Sequence, residues 1–271
     1  MKRIDIIDRL LEKGYEAEER DYMKNGVLYE GIIIRDENPV VPVIYTEKLI
    51  KEAERFGKSL DEVAMEVVHI YEQHKHTDIN IHKIMNKDFM FQHLYIGIQK
   101  ESDEDLIKRK SEFEGLELYL YIREDQECFS IKVTDRLLDK VGITKSDAWA
   151  KAEKHTKSET TVDTLSNVMA RICNLPSEDH IDELMPIYVI SNQICTKGAS
   201  CIINKEVLHK IGKKHESSKL IVLPASIHEM LVVPSSYGLD INDLSATVFQ
   251  VNEEEVQPEE RLTDRAYVVE V

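Results

Sequence analysis

The sequence predicts an α+β fold in which antiparallel sheets are formed by repeated β-β-α units, with helices packed on one face. Two short runs of β-branched or aromatic residues, bounded by turn residues, are followed by an amphipathic stretch, and this order recurs about four times along the chain. The chain has 271 residues, of which 42% are hydrophobic, which is enough to bury a substantial core.

Helices are predicted where apolar residues recur at helical spacing behind a capping residue or before a glycine. Ser59 and Glu62 form a capping-box pattern, which predicts that a helix begins at Leu60. Gly57 and Gly142 are placed to end the helices before them. The predicted helices are 4–13, 46–56, 60–73, 135–141, a helix from 144 or 146 to 155, 206–215 and 241–251.

Strands are predicted where β-branched and aromatic residues cluster between turn signals, such as the Asp-Glu-Asn-Pro turn at 36–39. The highly charged segment 100–114 is typical of a surface loop or a short helix. The predicted strands are 26–34, 40–45, 89–98, 116–123, 128–133, 187–191, 200–204, 220–223, 230–233 and 267–271.

A polar stretch at 155–183 is the best candidate for a boundary within the chain. It predicts an N-terminal α+β region, 1–157, and a C-terminal α+β region, 158–271. The possibility that the two halves share one core stays open, because sequence alone does not show which faces pack together.

Charge and composition exclude several classes of partner. The formal net charge of −16 would repel a nucleic-acid backbone, so we expect no nucleic-acid partner. No run approaches the ~18 apolar residues of a membrane span, so no membrane association is expected. The first eight residues include acids where a signal peptide needs an apolar run, and the four cysteines lack CxxC spacing. A cytoplasmic location, no cofactor and no metal are therefore predicted.

Ser226, His228 and Glu229 are the candidate site residues, because they form a polar group between two apolar strands. On an extended strand Ser226 and His228 would point to the same face but lie ~7 Å apart at Cα, which is long for a catalytic pair. Neither a GxSxG nucleophile elbow nor an HExxH zinc motif is present. The favoured interpretation is a structural turn in which the Ser226 hydroxyl bonds backbone amides and His228 fixes the crossing.

A second group of candidate ligands contains His74, His76, Asp78 and His82. His74 and Asp78 would share a face if the helix continued, at a spacing that could hold a metal. His76 would point elsewhere, and the helix is expected to end here, so a polar helix end is favoured over a metal site.

The C-terminal third resembles a family of uncharacterised proteins from Gram-positive gut bacteria whose shared domain has no assigned function. The resemblance lies in three motifs: Gly198-Ala199-Ser200, the segment Leu-Pro-Ala-Ser-Ile-His-Glu at 223–229, and the tail Pro-Glu-Glu-Arg-Leu-Thr-Asp at 258–264. Ala225 and Thr263 stand where the family usually has serine. The resemblance implies a fold but no chemistry.

The sequence therefore favours a non-catalytic cytosolic binding or regulatory module that acts on a protein partner. The alternative is a hydrolase-like enzyme that uses Ser226 and His228 with Glu229 or a distant acid. A pocket lined by Ser226 and His228 would favour the enzyme, whereas packed side chains would favour the module.

Overall fold

Antiparallel sheets and helices follow one another along the chain in the computed structural model, and the predicted α+β class is confirmed. The structure describes residues 1–37, 41–75, 81–124, 129–173 and 186–271. The chain divides into two compact units, Met1–Asn80 and Ile81–Val271. None of the helices in these described ranges is both long and apolar enough to cross a bilayer.

The first unit packs helices against a small antiparallel sheet of strand order β1-β4-β5. Its core side chains, which are fully shielded from solvent, include Ile6, Leu10, Ile32, Val63 and Val67. The elements of this unit are α1 (Arg3–Glu12), β1 (Glu16–Glu19), β2 (Tyr22–Lys24), β3 (Val27–Tyr29), β4 (Gly31–Arg35), β5 (Ile44–Tyr45), α2 (Thr46–Phe56) and α3 (Leu60–His74).

The predicted capping box opens α3. The Ser59 hydroxyl accepts the N–H of Glu62 at 3.3 Å, and the Glu62 carboxylate accepts the N–H of Ser59 at 2.7 Å. Two backbone donors that the first helical turn leaves unsatisfied thereby gain acceptors. The four consecutive residues 59–62 were therefore enough to predict where this helix begins.

The second unit begins with helices and a sheet centred on one long strand. Strand β8 pairs with β6 on one side and with β7 and β9 on the other, and all nine of its residues are buried. A strand covered on both faces explains its continuous apolar and aromatic run at 118–122. The elements are α4 (Ile81–Ile84), α5 (Lys87–His93), β6 (Leu94–Lys100), β7 (Lys108–Lys110), β8 (Leu116–Glu124), β9 (Phe129–Lys132), α6 (Asp135–Val141) and α7 (Lys145–Ser158).

A second antiparallel sheet, of order β10-β11-β13-β12-β14, completes this unit. The predicted strands β12 and β13 pair with each other in antiparallel order, and Val222 lies opposite Val232. The elements are β10 (Thr160–Thr164), α8 (Leu165–Cys173), β11 (Tyr188–Asn192), a 3-10 turn (Gly198–Ile203), α9 (Lys205–Lys214), β12 (Lys219–Pro224), β13 (Met230–Pro234), a 3-10 turn (Ser235–Tyr237), α10 (Ile241–Glu254) and β14 (Tyr267–Glu270).

Two predicted strands were wrong in part or whole. Residues 200–204 lie mostly in the 3-10 turn, where the Ser200 hydroxyl donates to the Ile96 carbonyl at 2.5 Å; the apolar pattern there reflects burial under β6 rather than strand pairing. The strand predicted from residue 89 begins only at Leu94, because Asn86 caps a helix by accepting the N–H of Phe89 at 2.9 Å. Part of the predicted turn at 36–39 lies outside the described residues.

The two compact units are divided between residues 80 and 81, whereas the sequence predicted a boundary between residues 157 and 158. Helix α7 ends at Ser158, and the chain continues directly into β10, an edge strand of the second sheet. The Asn204 side-chain amide donates to the Lys157 carbonyl at 3.3 Å, and the Cys201 thiol lies 3.6 Å from the Thr156 carbonyl. The division into regions 1–157 and 158–271 stays a prediction.

Candidate functional site

The predicted polar group lies in the turn between β12 and β13. The Ser226 hydroxyl accepts the N–H of His228 at 3.0 Å and donates to the Glu229 carboxylate at 3.2 Å. The N–H of Ser226 donates to the carbonyl of Glu229 at 3.2 Å, which closes the turn. Ser226 is buried, so its hydroxyl satisfies backbone and carboxylate groups that water does not reach freely. The expectation that this hydroxyl bonds a backbone amide of its own turn agrees with this geometry.

The imidazole of His228 turns away from the Ser226 hydroxyl. Its Nδ1 accepts the backbone N–H of Lys197 at 3.2 Å, and its Nε2 lies 3.3 Å from the carboxylate of Glu260. An amide N–H can only donate, so Nδ1 carries the lone pair and Nε2 carries the proton that faces Glu260. The ring therefore joins two other segments of the chain, whereas the sequence predicted partners within its own turn.

The three motifs noted in the sequence meet around this histidine. The N–H of Ala199 donates to the carbonyl of Ile227 at 3.2 Å, and the N–H of Ile227 donates to the carbonyl of Glu260 at 2.9 Å. The Ser191 hydroxyl of β11 donates to the carbonyl of His228 at 2.7 Å. The Gly-Ala-Ser turn, the Ser-Ile-His-Glu turn and the Pro-Glu-Glu tail thus form one hydrogen-bonded cluster.

Gly198 allows this close approach. A Cβ added at this position would lie 2.5 Å from the backbone nitrogen of Asn192 and 2.8 Å from the carbonyl oxygen of His228. Both are backbone atoms of paired or braced segments, so neither can move away cheaply. The residue before it, Lys197, has a left-handed backbone with φ of +53°. For a non-glycine residue this conformation is uncommon and is often found at functional positions.

The Lys197 side chain lines a pocket of about 320 Å³. Its ammonium donates to the Ser130 hydroxyl at 2.6 Å and lies 5.1 Å from the centroid of the Tyr121 ring. Residues from strands β8 and β9 and from the loop after β11 complete the lining; they include Tyr121, Arg123, Glu124, Phe129, Ser130 and Ile194.

The other charged residues of this pocket already have opposite charges beside them. The Arg123 guanidinium donates to both carboxylate oxygens of Glu159, at 2.9 and 2.8 Å. Glu124 lies 3.0 Å from the ammonium of Lys83 and 3.5 Å from His93. Arg123 and Glu124 are both buried, and pairing offsets much of the cost of removing their charges from water.

Lys197 differs from these residues. Within the described ranges, no carboxylate lies within ion-pair distance of its ammonium, and the charged neighbour that influences it is the like-charged Lys132. Burial, helped by this repulsion, lowers the pKa of Lys197 to about 8. Burial also raises the pKa of Tyr121 to about 12, so that phenol keeps its proton at neutral pH. The pocket therefore holds one cation that lacks a carboxylate partner from the described chain.

The histidine-rich group gives no metal centre among the residues that are described. His74 ends α3 and His82 lies in α4, whereas His76 and Asp78 fall outside the described residues. Across the described ranges, no three side chains of histidine, cysteine, aspartate or glutamate are arranged to hold a metal ion.

Lys197 was missed at the level of sequence. Its hydrogen-bond partner Ser130 lies 67 positions earlier in the chain, and nothing in the local sequence shows that the two approach. The available signal was indirect: a lysine directly before Gly198, in a turn that the resemblance had already singled out.

The fold and the pocket together define an α+β protein in which Lys197, on a turn held by a hydrogen bond to His228, lines a pocket. The chain belongs to a family of unknown function, DUF5688, whose model matches residues 4–270. Membership in a family of unknown function, which the sequence had suggested, is thus confirmed. No curated protein and no solved structure matches the chain.

Proposed function

We propose that this protein is a non-catalytic binding module that holds an anionic group of a protein partner in the Lys197 pocket. The observation that carries the proposal is the ammonium of Lys197, which lines a pocket and has the Ser130 hydroxyl, but no carboxylate, as a partner among the described residues. A cation removed from water without a counter-charge is costly, and a bound anion would offset that cost.

A protein partner fits the charge of the chain better than a nucleic acid does. The net charge of −16 repels a phosphate backbone at a distance, whereas one anionic group on a protein needs only one local cation. The proposal includes a cytoplasmic location, because the described cysteines, Cys173, Cys195 and Cys201, are free, as is usual in a reducing compartment.

The alternative hydrolase would use Ser226 and His228 with Glu229 or a distant acid. Its support is the Ser226–Glu229 hydrogen bond, but the Nδ1 lone pair of His228 is occupied by the Lys197 amide and its Nε2 faces Glu260. A general base needs a free lone pair directed at the nucleophile, so this enzyme would require the turn to rearrange.

The test is a selection from a library of displayed peptides with free C termini. The target is the wild-type protein, and peptides that also bind a Lys197→Met variant are removed. We expect the retained peptides to depend for binding on a carboxylate, either at the C terminus or in a side chain. They should bind a Lys48→Met control as tightly as wild type, because Lys48 is exposed in α2. A peptide set that binds wild type and Lys197→Met equally would contradict the proposal.

A further inference from the structure

We infer that the Lys197 pocket takes a carboxylate with an adjoining apolar group, and specifically the C-terminal carboxylate of a peptide that ends in an apolar residue. The inference rests on the proposed function and adds the chemistry of the ligand. It follows from three features of the pocket: the hydrogen-bond donors that converge there, the positive charge of Lys197 that no described carboxylate pairs, and the apolar side chains in the lining.

Two hydrogen-bond donors lie side by side at the pocket wall. Lys197 Nζ and Ser130 Oγ are 2.6 Å apart. The ammonium donates to Ser130, which leaves two of its three N–H groups, and the Ser130 hydroxyl keeps its own proton to donate. Among the described residues, that hydroxyl proton has no hydrogen-bond acceptor in the structure. Adjacent donors of this kind match the two oxygens of one carboxylate.

The strand register places these groups on one face. Ser130 of β9 lies opposite Arg123 of β8, and Lys132 lies opposite Tyr121. Because side chains alternate along a strand, Tyr121, Arg123, Ser130 and Lys132 all project from the same face of this sheet. Lys197 reaches this face from the loop after β11 and donates to Ser130. Ser130 is therefore held by paired strands, and Lys197 by the hydrogen bond of its N–H to His228, so both donors are positioned before a ligand arrives.

The charge count favours a monoanion. Among the described lining residues, Arg123 is matched by Glu159 and Glu124 by Lys83, so Lys197 supplies one positive charge that remains unpaired within that set. A carboxylate neutralises one charge. A phosphate monoester carries close to two at neutral pH, so its second charge would have no unpaired cation among the described lining residues.

Apolar side chains lie next to the donors. Phe129 and Ile194 line the pocket, and Ile194 is 42% exposed although it is a large hydrophobic residue. An apolar group attached to the carboxylate would cover this surface and gain the free energy of burying it. A volume of about 320 Å³ is at the small end of ligand sites, which suits one terminal residue rather than a long segment.

The experiment is isothermal titration with small probes that separate charge from shape. N-acetyl-leucine carries the carboxylate and the apolar group, N-acetyl-leucine amide lacks the charge, and phenyl phosphate supplies an aromatic dianion. We expect wild type to bind N-acetyl-leucine at least about tenfold more tightly than either other probe. Because the pKa of Lys197 is about 8, the affinity should fall as the pH rises above that value and the ammonium loses its proton.

The variants identify the donors. Lys197→Met should lose binding by at least about tenfold and Ser130→Ala by severalfold, whereas Lys48→Met should bind like wild type. Ser130 is exposed, so its variant is expected to fold even if Lys197→Met does not.

The outcomes separate the inference from the proposed function. Tighter binding of phenyl phosphate that depends on Lys197 would overturn the carboxylate assignment and leave an anion-binding pocket. N-acetyl-leucine binding that is unchanged in both Lys197→Met and Ser130→Ala would overturn the assignment of these donors and the proposed function together. Absence of binding of all probes to wild type at millimolar concentration would also overturn both.

Discussion

The Nδ1 atom of His228 accepts the backbone N–H of Lys197 at 3.2 Å, which links the turn after β12 to the turn after β11. The strands that lead into these turns belong to one sheet, where β11 pairs with β13. Lys197 has a left-handed backbone, and a hydrogen bond to its N–H helps to hold that conformation. The residue that looked most like a catalytic base in the sequence therefore acts, in this structure, as a support for a lysine.

Ser226→Ala should lower the melting temperature by several degrees. The substitution removes the acceptor of the His228 N–H and the donor to Glu229, and loss of a buried partner costs about 1–3 kcal/mol. The measurement is thermal unfolding followed by circular dichroism, with the exposed Ser146→Ala as the matched control. Equal melting temperatures for Ser226→Ala and wild type would contradict the structural role of this hydroxyl.

His228→Ala should speed hydrogen exchange at the amide of Lys197 by at least about tenfold, because that N–H loses its acceptor. The readout is native-state exchange measured by NMR at the single amide. Glu260→Gln is the control, since its amide oxygen can still accept from Nε2–H of His228 and leaves the Lys197 bond in place. Unchanged protection of Lys197 in the His228 variant would refute the link.

Local sequence signals predicted those parts of the fold that depend on neighbouring residues. The capping box at Ser59 and the turn around Ser226 were both predicted from the sequence, because each depends on residues within a few positions. The 3-10 turn at Gly198 was read as a strand, since its apolar residues are buried by β6, which lies far away in the sequence. Trp149 is half-buried, and the guanidinium of Arg109 lies 4.3 Å from its ring centroid, a contact between residues 40 positions apart that no local pattern reports.

The candidate site was predicted in part for the same reason. The Ser226 hydroxyl bonds its own turn, which a turn motif suggests, but the partners of His228 come from Lys197 and Glu260. The burial and low pKa of Lys197 arise from tertiary packing around it, so no periodicity or spacing in the sequence reports them.

Glu159→Gln should destabilise the protein by about 3–5 kcal/mol, because it leaves the Arg123 guanidinium buried without its counter-charge. The Tyr95 hydroxyl also donates to Glu159, at 2.7 Å, and this bond would weaken with the loss of charge. The control is Glu114→Gln, which breaks an exposed pair with Arg265 and should have little effect on stability. Urea denaturation measures both values, and similar costs for the two variants would show that the Arg123 pair is not effectively buried.

Lys197 should give the folded protein a pH-dependent stability between about pH 8 and pH 10. Its pKa is about 8 in the folded protein and near the ordinary lysine value of 10.5 in the unfolded chain. In this interval the unfolded chain binds more protons at this residue than the folded protein does. The contribution of Lys197 to the free energy of unfolding therefore rises with pH, by up to about 1.4 kcal/mol per pH unit. Below about pH 7 the ammonium is protonated in both states, so the contribution is constant there.

Lys197→Met removes this proton and leaves the other titrating groups in place. We expect the difference in unfolding free energy, wild type minus variant, to be constant from pH 6 to 7 and to increase from pH 8 to 10. Urea denaturation at half-unit pH steps measures the difference, and Lys48→Met supplies the control, because Lys48 is exposed and its variant should run parallel to wild type throughout. A flat difference for Lys197→Met across the whole range would show that this ammonium is not desolvated, and would remove the electrostatic basis of the proposed anion pocket.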